Sequence, residues 1–412
     1  MSSEPSAAAI ADAAARIAPV AHRTPLDRSE RLSAAHGVPV LLKREDVQVC
    51  RSYKVRGAYN LIASLTDEER ARGVVCASAG NHGQGVAHSC QVLGIRGRVF
   101  LPTNTPRQKR QRISVLGGEW IEPVIAGGTY DEASAAAQEA AAASGAVYVH
   151  PFDDPRTIAG QGTVAIELLE QAPELDTVIV PVGGGGLIAG IAVWLRAHAP
   201  AVRIVGAEPA GASSMRAALE HGGPLALEQV DTFVDGAAVG RVGDLTFPIV
   251  RDLVDDIVAV PEGAICTEML ELYQSEGVIA EPAGALASAA VAQSGAKGAV
   301  ACLVSGGNND VSRYAEVVER SLLHEGLRHY FLVSFPQEPG ALRGFLDEVL
   351  GASEDIVVFE YVKKNNRETG PALVGVDLEH PGDLGALLAR MDASRLEIER
   401  VPPGSPLFSF LM

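Results

Sequence analysis

The chain has 412 residues, 47% of them hydrophobic and 21% charged, with a formal net charge of -17. These proportions are ordinary for a globular protein, and the length predicts two or three domains rather than one core. The acidic balance argues against nucleic acid or an anionic membrane surface as partner, because both select basic surfaces. The five cysteines, Cys50, Cys76, Cys90, Cys266 and Cys302, are odd in number and form no CxxC or Cys/His cluster. Neither a disulfide framework nor a zinc site is expected; reduced, mostly buried thiols in a cytoplasmic protein are.

The alanine-rich start, Ala7 to Ala18, contains Asp12 and has no basic flank, so it reads as a helix rather than a signal peptide. Lys43-Arg44-Glu45-Asp46 and Ser52-Tyr53-Lys54-Val55-Arg56-Gly57-Ala58 follow. Taken alone, Lys54 among these charges reads as a solvated surface residue. From Val74 the chain alternates β-branched runs with helical patterns. Strands are expected at Val74 to Ala77, Gly97 to Leu101 and Trp120 to Val124, each followed by a helix: Gly83 to Leu93, Arg107 to Leu116 and Asp131 to Ala143. Val178 to Leu195 is uncharged and long enough to suggest a membrane span. Pro181 and Gly183-Gly184-Gly185-Gly186 sit inside it, so it reads instead as a strand (Thr177 to Val182), a glycine loop and a helix (Leu187 to His198). Further strands are expected at Arg203 to Glu208 and Ala299 to Ser305. Such alternation predicts an α/β fold with largely parallel sheets and a ligand at the carboxyl ends of the strands.

Three turns fall at those ends. Ala77-Ser78-Ala79-Gly80-Asn81-His82-Gly83-Gln84-Gly85 combines small residues, which let backbone N–H groups approach an anion such as a carboxylate, with Ser, Asn and His in succession. Pro181-Val182-Gly183-Gly184-Gly185-Gly186-Leu187 leads from strand to helix and has the character of a phosphate cradle. It lacks both the GxGxxG spacing of dinucleotide sites and the GK[ST] of a P-loop, which points away from NAD and ATP. Leu303-Val304-Ser305-Gly306-Gly307-Asn308 offers a hydroxyl at a third strand end.

Taken together and in this order, KRED…SYKVRGA, ASAGNHGQG, VPVGGGGLIAG and SGGN resemble the fold type II pyridoxal-phosphate enzymes, from about residue 20 to about residue 320, and within them the threonine ammonia-lyases (threonine dehydratases). The resemblance implies that Lys54 is the catalytic lysine and bonds pyridoxal 5'-phosphate as a Schiff base. It implies that Asn81 contacts the phenolic oxygen, that Gly183, Gly184, Gly185, Gly186 and Leu187 hold the phosphate, and that Ser305 meets the pyridine nitrogen. Ser78, Ala79, Gly80, Asn81 and His82 would bind the substrate carboxylate. A neutral serine opposite the ring nitrogen leaves it largely unprotonated, which favours prompt loss of a β-hydroxyl over transamination. The implied reaction converts L-threonine to 2-oxobutanoate and ammonia, the first step of isoleucine biosynthesis, in a homo-oligomer with a tetramer favoured.

Competing readings stay on the same scaffold: serine dehydration, racemisation, β-replacement, or a non-catalytic amino-acid sensor. Racemases of this family carry a serine where Ala79 stands, and a methyl group transfers no protons. Retention of Lys54, the glycine loop and Ser305 speaks against the sensor. Arg56 reads as a structural ion pair; Asp235-Gly236 and Glu281-Pro282-Ala283-Gly284 resemble family loops near the site, yet turn roles suffice for them. His22, His150 and Glu208 have no partner spacing that demands a metal, so none is expected.

After about residue 325 the pattern changes. Strand His329 to Phe335, helix Gly340 to Leu350, strands Ile356 to Val362 and Ala372 to Leu378, helix Asp383 to Met391 and strand Leu396 to Val401 give the ferredoxin-like order βαββαβ. The helical stretch Val311 to Gly326 reads as the connection. His329 to Pro336, Pro339 to Arg343 and Phe359 to Asn366 resemble the ACT-like regulatory domain of biosynthetic threonine dehydratases. A catalytic domain over 1–325 and one regulatory domain over 326–412, with isoleucine as effector, are therefore expected.

Overall fold

Residues 5–361, 368–403, 405 and 407–408 are described by the computed structural model. The chain separates into two compact units, Met1–Asp310 and Val311–Met412.

In the first unit, α1 (Ala7–Ile17) is capped by the Ser6 side chain and buries Ile10, Ala13 and Ile17. Next come β1 (Leu26–Ser29), α2 (Glu30–His36), β2 (Val40–Arg44), α3 (Lys54–Ala63) and α4 (Asp67–Arg72). Strands β3 (Val74–Ala77), β4 (Gly97–Leu101), β5 (Ile121–Ile125) and β6 (Val147–Tyr148) alternate with α5 (Asn81–Leu93), α6 (Arg107–Gly117) and α7 (Tyr130–Ser144). They form a parallel four-stranded sheet in the order β5-β4-β3-β6. The first of these strands, helices and turns follow the sequence pattern closely. The strand expected from Trp120 begins one residue later, because Gly118–Trp120 forms a 3-10 turn entered through Gly118 at φ 52°. Helix α5 starts at Asn81, two residues ahead of expectation.

The larger sheet follows: α8 (Pro155–Gln171), β7 (Thr177–Pro181), α9 (Gly186–His198), β8 (Arg203–Pro209), α10 (Ser214–His221), α11 (Thr246–Leu253), β9 (Asp256–Val260), α12 (Glu262–Glu276), α13 (Pro282–Ala289), α14 (Val291–Ser294) and β10 (Val300–Val304). Its order is β1-β2-β10-β7-β8-β9, parallel except for β1. All residues of β7 and β10 are buried, as strands covered by helices on both faces must be. The order places β10 between β2 and β7. The chain before Lys54, the glycine loop after β7 and the turn after β10 thereby meet at one end of the sheet. Among the described residues no helix is long and apolar enough to cross a membrane.

The second unit opens with α15 (Tyr314–His324), then β11 (Arg328–Pro336), α16 (Ala341–Glu348), β12 (Asp355–Tyr361), β13 (Thr369–Asp377), α17 (Leu384–Ala393) and β14 (Glu397–Arg400). The antiparallel sheet runs β12-β13-β11-β14, the ferredoxin-like order. Phe331, Phe335, Phe345, Val374, Leu387 and Met391 form its core. Helix α15, within the stretch read as a connection, is fastened to this sheet: Arg328 pairs with Glu319 and with Asp377, and the Tyr330 hydroxyl donates to Glu319 at 2.7 Å. Val362, the last residue of the expected strand, and Lys363 to Asn366, the rest of the segment that resembles the regulatory domain, lie outside the described residues.

Candidate active site

Lys54 is the first residue of α3, and the backbone leading to it is fixed from β10. Ser52 bridges to Gly306, Tyr53 N–H donates to the Ser305 carbonyl at 3.2 Å, and Gly307 N–H donates to the Arg51 carbonyl at 2.9 Å. Arg51 takes the left-handed φ of 54°, a conformation a non-glycine residue holds only when its surroundings impose it. These contacts bring Lys54 and Ser305 to the same end of the sheet, though 251 positions apart in the chain. Lys54 Nζ donates to the Pro151 carbonyl at 3.1 Å. Burial pulls its pKa down to about 8, partly opposed by the negative charge of Glu281.

Arg56, two residues further along the same helix, is an ion-pair residue as its sequence suggested. Its guanidinium meets Glu45 at 2.8 Å and Glu167 at 2.7 Å, and Lys43 closes the cluster on Glu167 at 2.6 Å. Arg56, Lys43 and Glu45 are fully buried or nearly so. The cluster ties α3 to α8 and to the end of β2, which fixes the base from which Lys54 projects.

Two helix N-termini open toward the site without side-chain caps. Helix α9 begins behind Gly185 at φ 93°, and α5 begins behind Gly80. The first N–H groups of each helix have no intrahelical partner, and the helix dipole adds positive potential there. The glycine loop is closely packed from behind. A Cβ on Gly184 would enter the Phe152 ring, and one on Gly185 would lie 2.7 Å from Met215 and 2.9 Å from Thr246. Thr246 Oγ1 donates to the Gly184 carbonyl at 2.6 Å, and Asp153 accepts the N–H groups of Leu245 and Thr246. Carbonyls of the loop are thus engaged, while the N–H groups leading into α9 remain for an anion.

At α5, Ser78 Oγ accepts from Gly80 N–H at 3.3 Å, and Ala79 packs its methyl against the core of the small sheet. Asn81 donates to Glu281 at 2.5 Å and accepts from Asn308 at 2.6 Å. The His82 ring is committed elsewhere: Nε2 lies 2.8 Å from the Val149 carbonyl, so it carries the proton, and burial lowers the pKa to about 3. A neutral ring spent on Val149 leaves His82 only its backbone N–H for a carboxylate. Ser305 Oγ donates to the Ala283 carbonyl at 3.0 Å, and rotation of the hydroxyl would turn that hydrogen toward another acceptor.

Sequence reasoning missed three residues here. Glu281, read as a turn residue, is buried at the site, and desolvation raises its pKa to about 7. Pro151 and Gln161 on α8 were not singled out, yet Gln161 Nε2 donates to the same Pro151 carbonyl as Lys54, at 3.1 Å. Nothing local marks a glutamine on a helix as part of a site; only the tertiary packing does. Glu208 caps α10, accepting from Met215 and Arg216 N–H at 2.7 and 2.9 Å. Among the described residues no cluster of His, Cys, Asp and Glu is placed to hold a metal.

A lysine with a lowered pKa, a glycine-lined helix N-terminus fit for a phosphate and a neutral serine at the end of the neighbouring strand fit a pyridoxal-phosphate-dependent enzyme of fold type II. Residues 17–306 match the family model "Pyridoxal-phosphate dependent enzyme", and residues 319–411 match "C-terminal regulatory domain of Threonine dehydratase". The chain is 58% identical over 412 residues to the L-threonine dehydratase biosynthetic IlvA of Mycobacterium tuberculosis, covering 99% of this chain and 96% of that one. The processed form of threonine deaminase isoform 2 from Solanum lycopersicum superposes with a TM-score of 0.73 at 39% identity, covering 78% of this chain and 91% of that one. Maize serine racemase superposes with a TM-score of 0.72 at 36% identity, over 78% and 98%. The chain belongs to the biosynthetic L-threonine dehydratases.

Proposed function

We propose that this protein dehydrates and deaminates L-threonine to 2-oxobutanoate and ammonia, and that isoleucine acts on it through residues 311–412. The observation that carries the reading is the meeting of Lys54, the α9 N-terminus and Ser305 at one sheet end. Lys54 would hold the cofactor covalently. The N–H groups of Gly183 to Gly186 and Leu187 would bind its phosphate, Asn81 its phenolic oxygen, and Ser305 its ring nitrogen. Bound pyridoxal phosphate supplies an electron sink for the charge left at the substrate α-carbon.

The chain's own residues do the rest. The uncapped α5 N-terminus with Ser78 to His82 takes the substrate carboxylate through backbone N–H groups, which orients the α-hydrogen. With its amine free rather than bonded, Lys54 accepts that proton, its pKa of about 8 keeping a useful fraction neutral near physiological pH. The β-hydroxyl then leaves as water, and hydrolysis of the released enamine gives the 2-oxo acid and ammonia. Ala79 carries no proton donor for the opposite face, which separates this chain from a racemase despite the shared fold. All five thiols are free and buried, in keeping with a cytoplasmic enzyme.

The test is kcat/KM for 2-oxo acid formation from L-threonine and from L-serine, with and without isoleucine. Preference for threonine and inhibition by isoleucine are expected. Preference for serine would make the enzyme a serine dehydratase.

A further inference from the structure

Glu281 stands immediately before α13, the position whose side chain commonly caps a helix, yet it makes no capping bond. Its carboxyl turns the other way. Oε1 accepts from Asn81 Nδ2 at 2.5 Å, and Asn81 Oδ1 accepts from Asn308 Nδ2 at 2.6 Å. Asn308 is itself held, its Nδ2 reaching the Cys50 carbonyl at 2.9 Å. Asn81 is therefore gripped at both ends of its amide, and one N–H remains uncommitted.

The surroundings are shaped to this pair. A side chain on Gly306 would collide with Glu281 Oε1 and come within 3.1 Å of Asn81 Nδ2. Over Glu281 lies the loop carrying Gly236, whose Cβ position is 3.5 Å from Oε1. The preceding residue, Asp235, pairs with Lys109 of α6 at 2.7 Å. That pair joins the small-sheet half of the unit to the large-sheet half directly above the carboxyl. Burial and the Asp235 charge raise the Glu281 pKa to about 7, opposed by the Asn81 bond and Lys109.

We propose that Glu281 is a positioning residue for the reaction: by clamping Asn81 against Asn308, it fixes which face of that amide meets the bound cofactor. The uncommitted Asn81 N–H is then presented in one orientation rather than two. A freely rotating amide would offer its oxygen as often as its nitrogen. The inference rests on the assignment of Asn81 to the cofactor made above.

The test compares Glu281→Ala, Glu281→Gln, Asn81→Ala and the Asn81→Ala/Glu281→Ala double variant in the full chain. Three quantities are read: the dissociation constant of pyridoxal phosphate, the position of the visible absorption band, and kcat and KM for L-threonine. Glu281→Ala is expected to lower kcat roughly 10- to 100-fold, the range for losing one charge-assisted hydrogen bond, and to move the band. Glu281→Gln keeps an acceptor oxygen for Asn81 and should restore most of both. In the Asn81→Ala background, removing Glu281 should add less than about twofold, because the residue acts through Asn81. Should Glu281→Ala fail to fold, Glu281→Asp, which withdraws the carboxyl by one methylene, should show the same band shift. Losses that multiply in the double variant, or a Glu281→Ala enzyme with wild-type band and kcat, overturn the proposal. A wild-type-like Asn81→Ala enzyme overturns the assignment of Asn81 beneath it, and the proposal with it.

Discussion

Lys54 and Gln161 share one acceptor, the Pro151 carbonyl, each at 3.1 Å. Gln161 sits on α8 with its Oε1 2.6 Å from where a Cβ on Gly186 would stand, at the start of α9. The amine is thereby parked beside the glycine loop, partly shielded from water, and must leave the carbonyl when it bonds the cofactor.

Only the neutral amine is nucleophilic, and its fraction grows as pH rises through the folded pKa. With that pKa lowered to about 8 from the ordinary 10.5, capture of pyridoxal phosphate by the cofactor-free protein should accelerate with a midpoint near 8. Stopped-flow absorbance across pH 6 to 11 measures it, in steps of about one pKa width. A midpoint above about 10 would mean the amine is solvated like a free lysine.

Arg56 neutralises two carboxylates in a buried setting, at 2.8 Å and 2.7 Å. Arg56→Met leaves Glu45 and Glu167 facing each other with only Lys43 in compensation. A loss of about 3–5 kcal/mol in urea unfolding is expected, since stranded buried charge costs more than the pair itself contributes. A loss below about 1 kcal/mol would show that water reaches these carboxylates as it does at the surface.

How much of this was legible beforehand varies with the kind of signal. The strand runs from Val74, Thr177 and Val300 and the βαββαβ tail were readable because each is a local pattern: β-branched runs, glycine turns, period-two alternation. Elements β1, β2, α3 and α8 were not, because charged residues such as Lys43, Arg44 and Arg56 masked their burial. Lys43 and Arg56 are buried because Glu45 and Glu167 neutralise them across α3, α8 and β2, a fact no local window contains. The His82 ring's commitment to Val149 and the Glu281 carboxyl's turn away from α13 are likewise set by distant partners.

Ser305 accepts or donates as a neutral hydroxyl, with Ala283 as its present partner at 3.0 Å. Ser305→Asp puts a carboxylate beside that carbonyl and opposite the ring nitrogen, where it favours a protonated ring. Elimination should slow, and side transamination, followed by spectra of the reduced cofactor form, should rise. Unchanged partitioning would show that the nitrogen's partner does not govern the reaction type.

Removing residues 311–412 takes away a unit with its own core and its own linking helix α15. The remaining 1–310 is expected to keep threonine turnover and to lose its response to isoleucine. Effector coupling of about 1–3 kcal/mol corresponds to a roughly 5- to 150-fold change in apparent threonine affinity, which the truncated enzyme should not show. Native mass must accompany the assay, since a change of assembly alters apparent affinity too. An isoleucine response equal to that of the full chain would place the effector site in the catalytic unit.

Formation of 2-oxobutanoate from threonine should depend on Lys54. The most direct measurement follows 2-oxobutanoate from L-threonine, with purified wild-type and Lys54→Ala protein, each supplied with pyridoxal phosphate and scanned for its visible band. Wild type should turn over with the band of lysine-bound cofactor, and Lys54→Ala should show neither, while retaining its circular dichroism. A Lys54→Ala protein forming 2-oxobutanoate at near the wild-type rate would contradict the account.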